Sequence, residues 1–199
     1  MRAVMSNISP SITTMIRMDH TKVLATFHKF RPSSAPRVKQ ALVNIVCRSL
    51  EIHAQLEEEI FYPAMREVDA AIVQKNVPEH DEMRRMISSL RNMQPQNAHY
   101  DTTFMQLMRA VMHHVADEET TLLPDAERLL AGQLSELGVR FATRKLQLSA
   151  PHAGEVAADS VRAMPASTAL GSAGALLLGG LLVRHFMQKR SPRRFLQGV

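Results

Sequence analysis

The feature that most constrains how this chain can fold is a motif that occurs twice. The pattern H-x3-E-E-x4-P begins at His53 and begins again 61 residues later, at His114. A pair of an acid followed by histidine is also repeated, at residues 19–20 and, 60 residues later, at 79–80. The simplest explanation is a helical hairpin present twice, with one histidine on its first helix and a His/Glu pair on its second.

Helical geometry indicates what the motif can do. Positions i and i+4 differ by about 40° around a helix, so His53 and Glu57 point the same way, as do His114 and Glu118. Four antiparallel helices bring such faces together on the axis of a bundle, where they can build a buried metal site. The ligands must be histidine and carboxylate, because Cys47 is the only cysteine. Four imidazoles with two carboxylates suit two first-row ions, and iron fits this set.

The spacing of apolar residues predicts four long helices and a fifth amphipathic stretch. The expected helices cover residues 11–30, 38–68, 77–93 and 101–130, and the fifth stretch covers 132–149. Pro63 removes one backbone hydrogen bond, which predicts a bend or an interruption in the second helix. We therefore expect an all-α fold, an antiparallel four-helix bundle over residues 9–148, followed by a C-terminal extension that contains an apolar helix.

Over roughly residues 9–148 the chain resembles the hemerythrin family, in its bacterial HHE cation-binding form. The resemblance rests on the sequences Met18-Asp19-His20 and Glu79-His80 and on both copies of the motif with their prolines. It implies a four-helix bundle around a non-haem di-iron centre, two iron ions with an oxo or hydroxo bridge. The terminal ligands that it implies are His20, His53, His80 and His114, and the bridging ligands are Glu57 and Glu118.

One position departs from the oxygen carriers of this family. They have a second ligand histidine one turn after the third-helix histidine, and Arg84 stands there in this chain. The ligand set is more similar to bacterial di-iron proteins associated with nitric oxide, oxidative stress and the repair of iron centres. With two histidines, one oxygen from each carboxylate and the bridging oxygen, each iron keeps one octahedral position open. We therefore expect the centre to bind O2, NO or peroxide, in redox or nitrosative stress response or in iron sensing.

Four further acids lie next to the expected ligands. Glu58 and Glu119 are about 100° around the helix from the bridging acids, so we expect them at the rim or as hydrogen-bond partners of ligands. Asp19 and Glu79 are interpreted first as acids at helix starts, and a supporting role for the neighbouring histidine is the second interpretation. The sequence has no hydrolase or transferase signature, so whether the protein is an enzyme stays open, and no catalytic residue is assigned.

The charge of the chain is concentrated at its C-terminal end. The net charge is +5, but residues 1–150 carry 18 basic and 17 acidic side chains, a balance of +1. We therefore expect no nucleic acid as a partner of the bundle. Residues 165–183 carry no charge and would span about 28 Å as a helix, near the hydrocarbon thickness of a bilayer. The interpretation is a linker over 149–164, an apolar helix and candidate membrane segment over 165–183, and a basic tail over 184–199.

Two expectations about the cellular role follow. The N-terminus lacks the apolar stretch of a secretory signal, which predicts a cytoplasmic protein, and residues 165–199 could associate it with the inner face of the membrane. The alternative function is a non-catalytic adaptor, a metal-stabilised bundle that its tail delivers to a membrane or to a partner. The physiological ligand, the electron donor and the oligomeric state stay open.

Overall fold

The computed structural model describes residues 10–68, 71, 73–74 and 76–164 of the chain, and in this part it contains helices and turns but no strand. The all-α class is confirmed. The helices are α1 (Ile12–Phe27), α2 (Pro36–Leu56), α3 (Tyr62–Arg66), α4 (Asn76–Arg91), α5 (Tyr100–Asp117), α6 (Leu123–Leu129), α7 (Leu134–Ser149) and α8 (Ala153–Arg162). The apolar helix expected over 165–183 and the basic tail over 184–199 lie outside the described residues.

Two widened turns connect α2 to α3 and α5 to α6. The segments Glu57–Phe61 and Glu118–Leu122 are π-helical, with backbone N–H groups that donate to the carbonyl five residues back. Each turn ends just before a proline, Pro63 or Pro124, which has no N–H to donate and whose ring would clash with the carbonyl four residues back in an α-helix. A wider turn accommodates this. The turn before Pro63 lies where the sequence predicts a bend, and both turns begin at an expected metal ligand.

The bundle contains five helical arms, where the sequence predicts a four-helix bundle. The arms are α1, α2 with α3, α4, α5 with α6, and α7. The additional arm is α7, which packs against α1 and α2 and buries Leu137 and Phe141 in the core. Gly138 makes this contact close, because a Cβ atom there would lie 2.3 Å from the backbone oxygen of Pro10. The four-helix expectation is therefore corrected, since the apolar face of the fifth amphipathic stretch is part of the same core.

Residues 149–164, for which composition favours a linker, contain the helix α8. This helix packs against α2. Asp159 of α8 is 8% exposed and accepts a hydrogen bond of 3.2 Å from Asn44 of α2. Glu155 of α8 pairs with Arg48 of α2 at 3.5 Å. These polar contacts come from residues far apart in the chain, so local composition does not encode them.

Two apolar clusters form the core, and the expected ligands lie where one cluster gives way to the other. Along α1, His20 lies between Ile16 of one cluster and Val23 of the other. The same change occurs at His53 of α2, at His80 of α4 and at Glu118, which follows α5, and this places a polar layer between two apolar layers. No helix in the described part of the chain is long and apolar enough to cross a membrane.

Candidate metal centre

Four buried histidines face one another in two pairs at the middle of the bundle. The Nε2 atoms of His20 and His53, from α1 and α2, lie 3.2 Å apart. The Nε2 atoms of His80 and His114, from α4 and α5, lie 3.1 Å apart. None of the four is more than 5% exposed. The structure therefore brings together all four histidines that the sequence suggests as ligands.

The Glu57 carboxylate reaches from one histidine pair to the other. It is fully buried, its Oε1 atom lies 3.3 Å from Nε2 of His53, and its Oε2 atom lies 3.3 Å from Nε2 of His80. Glu57 thus presents a different oxygen to each pair.

Glu118 is also fully buried, but it presents a single oxygen. Its Oε2 atom lies 3.4 Å from Nε2 of His20 and 3.5 Å from Nε2 of His114. Two groups of ligand atoms result, each with all its members within 4.8 Å of one another. One group comprises His20, His53, Glu57 and Glu118, and the other comprises Glu57, His80 and His114.

Glu58 and Glu119 accept hydrogen bonds from the far ring nitrogens of two histidines, the Nδ1 atoms, which point away from the centre of the site. Nδ1 of His80 lies 2.9 Å from Glu58, and Nδ1 of His20 lies 2.9 Å from Glu119. Each of these acids comes from the π turn of one hairpin and contacts a histidine of the other. This is the hydrogen-bonding role that the sequence suggests for them.

Asp19 and Glu79 also face far ring nitrogens, and for Asp19 the first interpretation needs correction. Nδ1 of His114 donates to Glu79 at 2.8 Å, and Nδ1 of His53 lies 3.9 Å from Asp19. Asp19 lies in the middle of α1 and not at its start, and it is held by Lys145 of α7. Glu79 lies in the first turn of α4 and contacts the histidine as well.

This pattern leaves lone pairs facing one another in the centre. A carboxylate only accepts hydrogen bonds, so Nδ1 of His20, His80 and His114 carries the hydrogen and their Nε2 atoms carry lone pairs. The Oε1 atom of Glu57 and the Oε2 atom of Glu118 are buried and have no hydrogen-bond partner. Cations between these atoms would satisfy all of them, and imidazole with carboxylate suits transition metals. The residues therefore fit a metal centre with two positions.

The two carboxyl groups differ in proton affinity. Burial and the nearby charge of Glu118 raise the pKa of Glu57 to about 7. Burial acts in the same direction on Glu118, but the rings of His20, His114 and His53, when protonated, outweigh it and lower the pKa of Glu118; Nε2 of His20 lies 3.4 Å from its Oε2 atom. In the metal-free site Glu57 therefore takes up a proton before Glu118 does, while a bound cation would hold both as carboxylates.

Two buried polar residues that the sequence analysis did not single out also contact the carboxylates. The Tyr62 hydroxyl donates to Oε1 of Glu118 at 2.9 Å and lies 3.2 Å from Oε2 of Glu57. The side-chain amide of Asn76 donates to the same Oε1 atom of Glu118 at 3.4 Å. A break in the internal repeat could have revealed both. The matching positions of the other copy hold Leu123 and Ile16.

An apolar pocket lies against the four histidines. Its walls include Val23, Leu50, Met83, Ile87 and Val111, together with the side chain of Arg84. Arg84 is half-exposed and pairs with Glu58 at 2.7 Å. Such a pocket suits a small, weakly polar molecule next to the metal positions.

Comparison with known proteins supports a family assignment. The family described as hemerythrin HHE cation-binding domain matches residues 11–126. A DNA nickase of Nostoc sp. (strain PCC 7120) is 31% identical over 127 residues, which are 63% of this chain and 36% of the nickase. The chain thus spans about a third of that relative. A solved hemerythrin HHE cation-binding domain-containing protein from Mycobacterium kansasii has a TM-score of 0.63 and 19% identity, covering 78% of this chain and 99% of its own. It shows a shared fold.

Proposed function

The chain belongs to the hemerythrin HHE cation-binding domain family, and from that premise we propose that it holds a non-haem di-iron centre and binds O2, NO or peroxide there. One observation carries the proposal. The unpartnered oxygens of Glu57 and Glu118 lie 3.3–3.5 Å from histidine Nε2 atoms at the centre of the bundle. In this proposal all six residues are iron ligands.

The surrounding residues support a centre that reacts with small molecules. When bound, two iron ions would supply electrons for the chemistry of O2, NO or peroxide. The acids that accept hydrogen bonds from Nδ1 of His20, His80 and His114 hold these rings in one tautomer and raise the basicity of the coordinating nitrogen. The apolar pocket admits small neutral molecules and limits water. These properties favour a role in redox or nitrosative stress response, or in iron sensing.

The proposal is tested by anaerobic loading with Fe(II), followed by titration with O2, NO and peroxide under visible absorption. We expect about two iron ions per chain and a spectral change with at least one of the three. The His114→Ala variant should lose iron, while the matched variant His113→Ala, at the exposed neighbouring position, should keep it. An iron-loaded protein that reacts with none of the three would contradict the proposal and favour the non-catalytic adaptor, whose metal is structural.

We further propose that the bundle acts without nucleic acid as a partner. Residues 1–150 carry 18 basic and 17 acidic side chains, which gives little attraction for phosphate backbones. The similar protein from Nostoc sp. is named a DNA nickase, so nicking is the activity to test. We expect supercoiled plasmid to stay supercoiled with the iron-loaded chain, and relaxation of the plasmid would overturn this part of the proposal.

Association with the inner face of a membrane is proposed from sequence alone. Residues 165–183 are uncharged and residues 184–199 contain five basic side chains. Fractionation of the full chain should find it with membranes, and a chain that ends at residue 164 should be found outside them. That end point keeps α8, which packs against α2. Equal fractionation of both chains would contradict membrane association.

A further inference from the structure

We propose that one end of the bundle, called the basic end below, docks on an anionic lipid surface. It comprises the loop between α1 and α2 with the first turn of α2, the segment from α4 to α5, and the last turn of α8, which are residues 28–39, 92–101 and 159–163. This surface is separate from the metal centre. It adds a contact of the folded bundle to the membrane association proposed for residues 165–199.

Contacts between side chains show that the three segments lie at the same end. Phe30, which follows α1, packs on Phe104 of α5 with ring centroids 4.7 Å apart. Lys39 of α2 donates to both carboxylate oxygens of Asp101 of α5, at 2.7 and 3.0 Å. Ala163, which follows α8, packs against the cluster that contains Phe30. The basic end is therefore one surface built from three parts of the chain.

The basic end differs in charge from the rest of the bundle. It carries five basic and two acidic side chains, while the rest of residues 10–163 carries 13 basic and 17 acidic ones. No acidic residue occurs between His20 and Leu50. The nearly neutral total of the bundle thus conceals a positive end, which can attract an anionic surface although the bundle as a whole cannot.

Three basic side chains of this end have no acidic partner. Lys29, Arg31 and Arg37 are exposed, and none of them pairs with an acidic side chain in the part of the chain that the structure describes. The guanidinium group of Arg31 donates to two backbone carbonyls of its own loop, which hold the charge in place without neutralising it. The two acids of the end, Asp101 and Asp159, already pair with other basic side chains.

The chain leaves the described bundle at the basic end. Asn44 and Arg48 of α2 contact Asp159 and Glu155 of α8, in that order, so the two helices run antiparallel and α8 ends beside the start of α2. The uncharged segment 165–183 continues from there. A membrane that held this segment would therefore be met first by the basic end, which favours lipid over other polyanions as its partner.

The three unpaired charges are enough to change membrane affinity measurably. Each lysine or arginine close to an anionic membrane strengthens binding by about fivefold, so three together contribute about a hundredfold. The acids of the metal centre do not cancel this attraction. Glu57 lies 20 residues after Arg37 along the chain, which is about 30 Å of helix, whereas physiological salt screens charges over about 8 Å.

Binding of the full chain to lipid vesicles tests the basic end. The basic-end variant combines Lys29→Gln, Arg31→Gln and Arg37→Gln. On vesicles of phosphatidylcholine with phosphatidylserine it should bind about a hundredfold more weakly than the wild type, and on phosphatidylcholine alone the two should bind equally. The control variant, which should bind like the wild type, loses the same charge at exposed arginines of α3, α6 and α7, through Arg66→Gln, Arg128→Gln and Arg140→Gln.

A spin label provides a second measurement, which a tether through residues 165–199 alone would not change. Ser33→Cys places the label in the basic end, and Ser135→Cys places it at an exposed position of α7. The native Cys47 is buried, so the label enters the new cysteine. On anionic vesicles the label at residue 33 should become protected from a water-soluble nickel relaxant, while the label at residue 135 should stay accessible.

The outcomes separate this surface from the other proposals. Equal binding by the wild type and the basic-end variant, an equal loss in the control variant, or a label at residue 33 that stays accessible would overturn the inference and leave the proposed function intact. Tighter binding to duplex DNA at the same phosphate concentration would also overturn it, because nucleic acid would then be the partner. A full chain that binds neither kind of vesicle would contradict membrane association through residues 165–199 as well.

Discussion

The two helical hairpins of the bundle carry matching ligands in different surroundings. The first hairpin, α1 and α2 with the π turn that follows, supplies His20, His53 and Glu57. The second hairpin, α4 and α5 with its π turn, supplies His80, His114 and Glu118. The offsets of 60 and 61 residues between these ligands and the two π turns before proline are features that both hairpins share. The duplication therefore accounts for the ligands and for the turns that aim them.

The surroundings differ in charge as well as in hydrogen bonding. In the first hairpin, Asp19 lies 3.9 Å from Nδ1 of His53 and forms an ion pair with Lys145 of α7. In the second hairpin, Nδ1 of His80 contacts Glu58, which forms an ion pair with Arg84 at 2.7 Å. The position that matches Arg84 in the first hairpin is Leu24. The comparison teaches that the repeat brings the candidate metal-binding atoms together, while departures from the repeat give the two histidine pairs different surroundings.

The largest effect is expected from removing the carboxylate that both positions share. Glu57→Ala should abolish binding of both ions, because Glu57 belongs to both groups of ligand atoms. Glu118→Ala should retain about one ion per chain, held by Glu57 with His80 and His114. Metal content of the purified variants, measured by plasma mass spectrometry, checks this, with the exposed Glu136→Ala as control. Equal losses in the two carboxylate variants would show that the hairpins contribute equally.

A second prediction concerns the pH dependence of the metal-free protein. Folding raises the pKa of Glu57 from 4.5 to about 7, so the folded chain retains a proton that the unfolded chain has released. The contribution to stability is complete below pH 4.5 and is lost as the pH rises to about 7. The lowered pKa of Glu118 changes the stability only below pH 4.5, where its contribution is lost as the pH falls. It therefore does not offset the loss of stability that Glu57 causes as the pH rises.

Thermal unfolding at pH 5 and pH 7 measures this difference. We expect the melting temperature of the metal-free wild type to fall by roughly 5 °C over this interval relative to Glu57→Gln. Iron loading should remove the difference, because both carboxylates are then held in the charged form. The interpretation fails if the wild type and Glu57→Gln change by the same amount.

Much of this arrangement follows from local sequence rules. The spacing of His53 and Glu57 on one helical face, the offset to His114 and Glu118, and the effect of Pro63 on backbone hydrogen bonding can all be obtained from the chain itself. Helix ends differ by a few residues, as at α1, which ends at Phe27 where apolar spacing extends to residue 30. Such patterns are predictable because they depend on neighbours within one or two turns.

Contacts between distant segments could not be predicted in the same way. Tyr62 and Asn76 belong to different helices, and their common acceptor on Glu118 is known only once the helices are packed. The same is true of Lys145, which lies 126 residues from its partner Asp19. Apolar periodicity indicated that residues 132–149 were amphipathic, but not which face of the bundle they would cover. The convergence of the candidate ligands was thus predictable from spacing, while the groups that contact them from distant segments depend on tertiary structure.

The smallest of these effects is expected at Lys145, and it tests whether the fifth helix serves the first hairpin alone. Asp19 is 8% exposed. Burial favours its neutral form, but His53 and Lys145 outweigh this and lower the pKa of Asp19. Lys145→Met keeps the apolar stem of the side chain and removes the charge, so the charged form of Asp19, 3.9 Å from Nδ1 of His53, should be less favoured. We expect the affinity for the metal ion held by His20 and His53 to fall about tenfold.

Competition with a chelator measures this loss, and Mössbauer spectra assign it to one iron. Lys145→Arg should preserve the affinity, because it keeps the positive charge, and the exposed Arg140→Met on the same helix is the matched control for loss of a charge. Since α7 lies outside the duplicated hairpins, a change confined to one of the two quadrupole doublets expected from a di-iron centre would mean that α7 acts on the first hairpin alone. A change in both doublets would instead mean that Lys145 acts on the bundle as a whole.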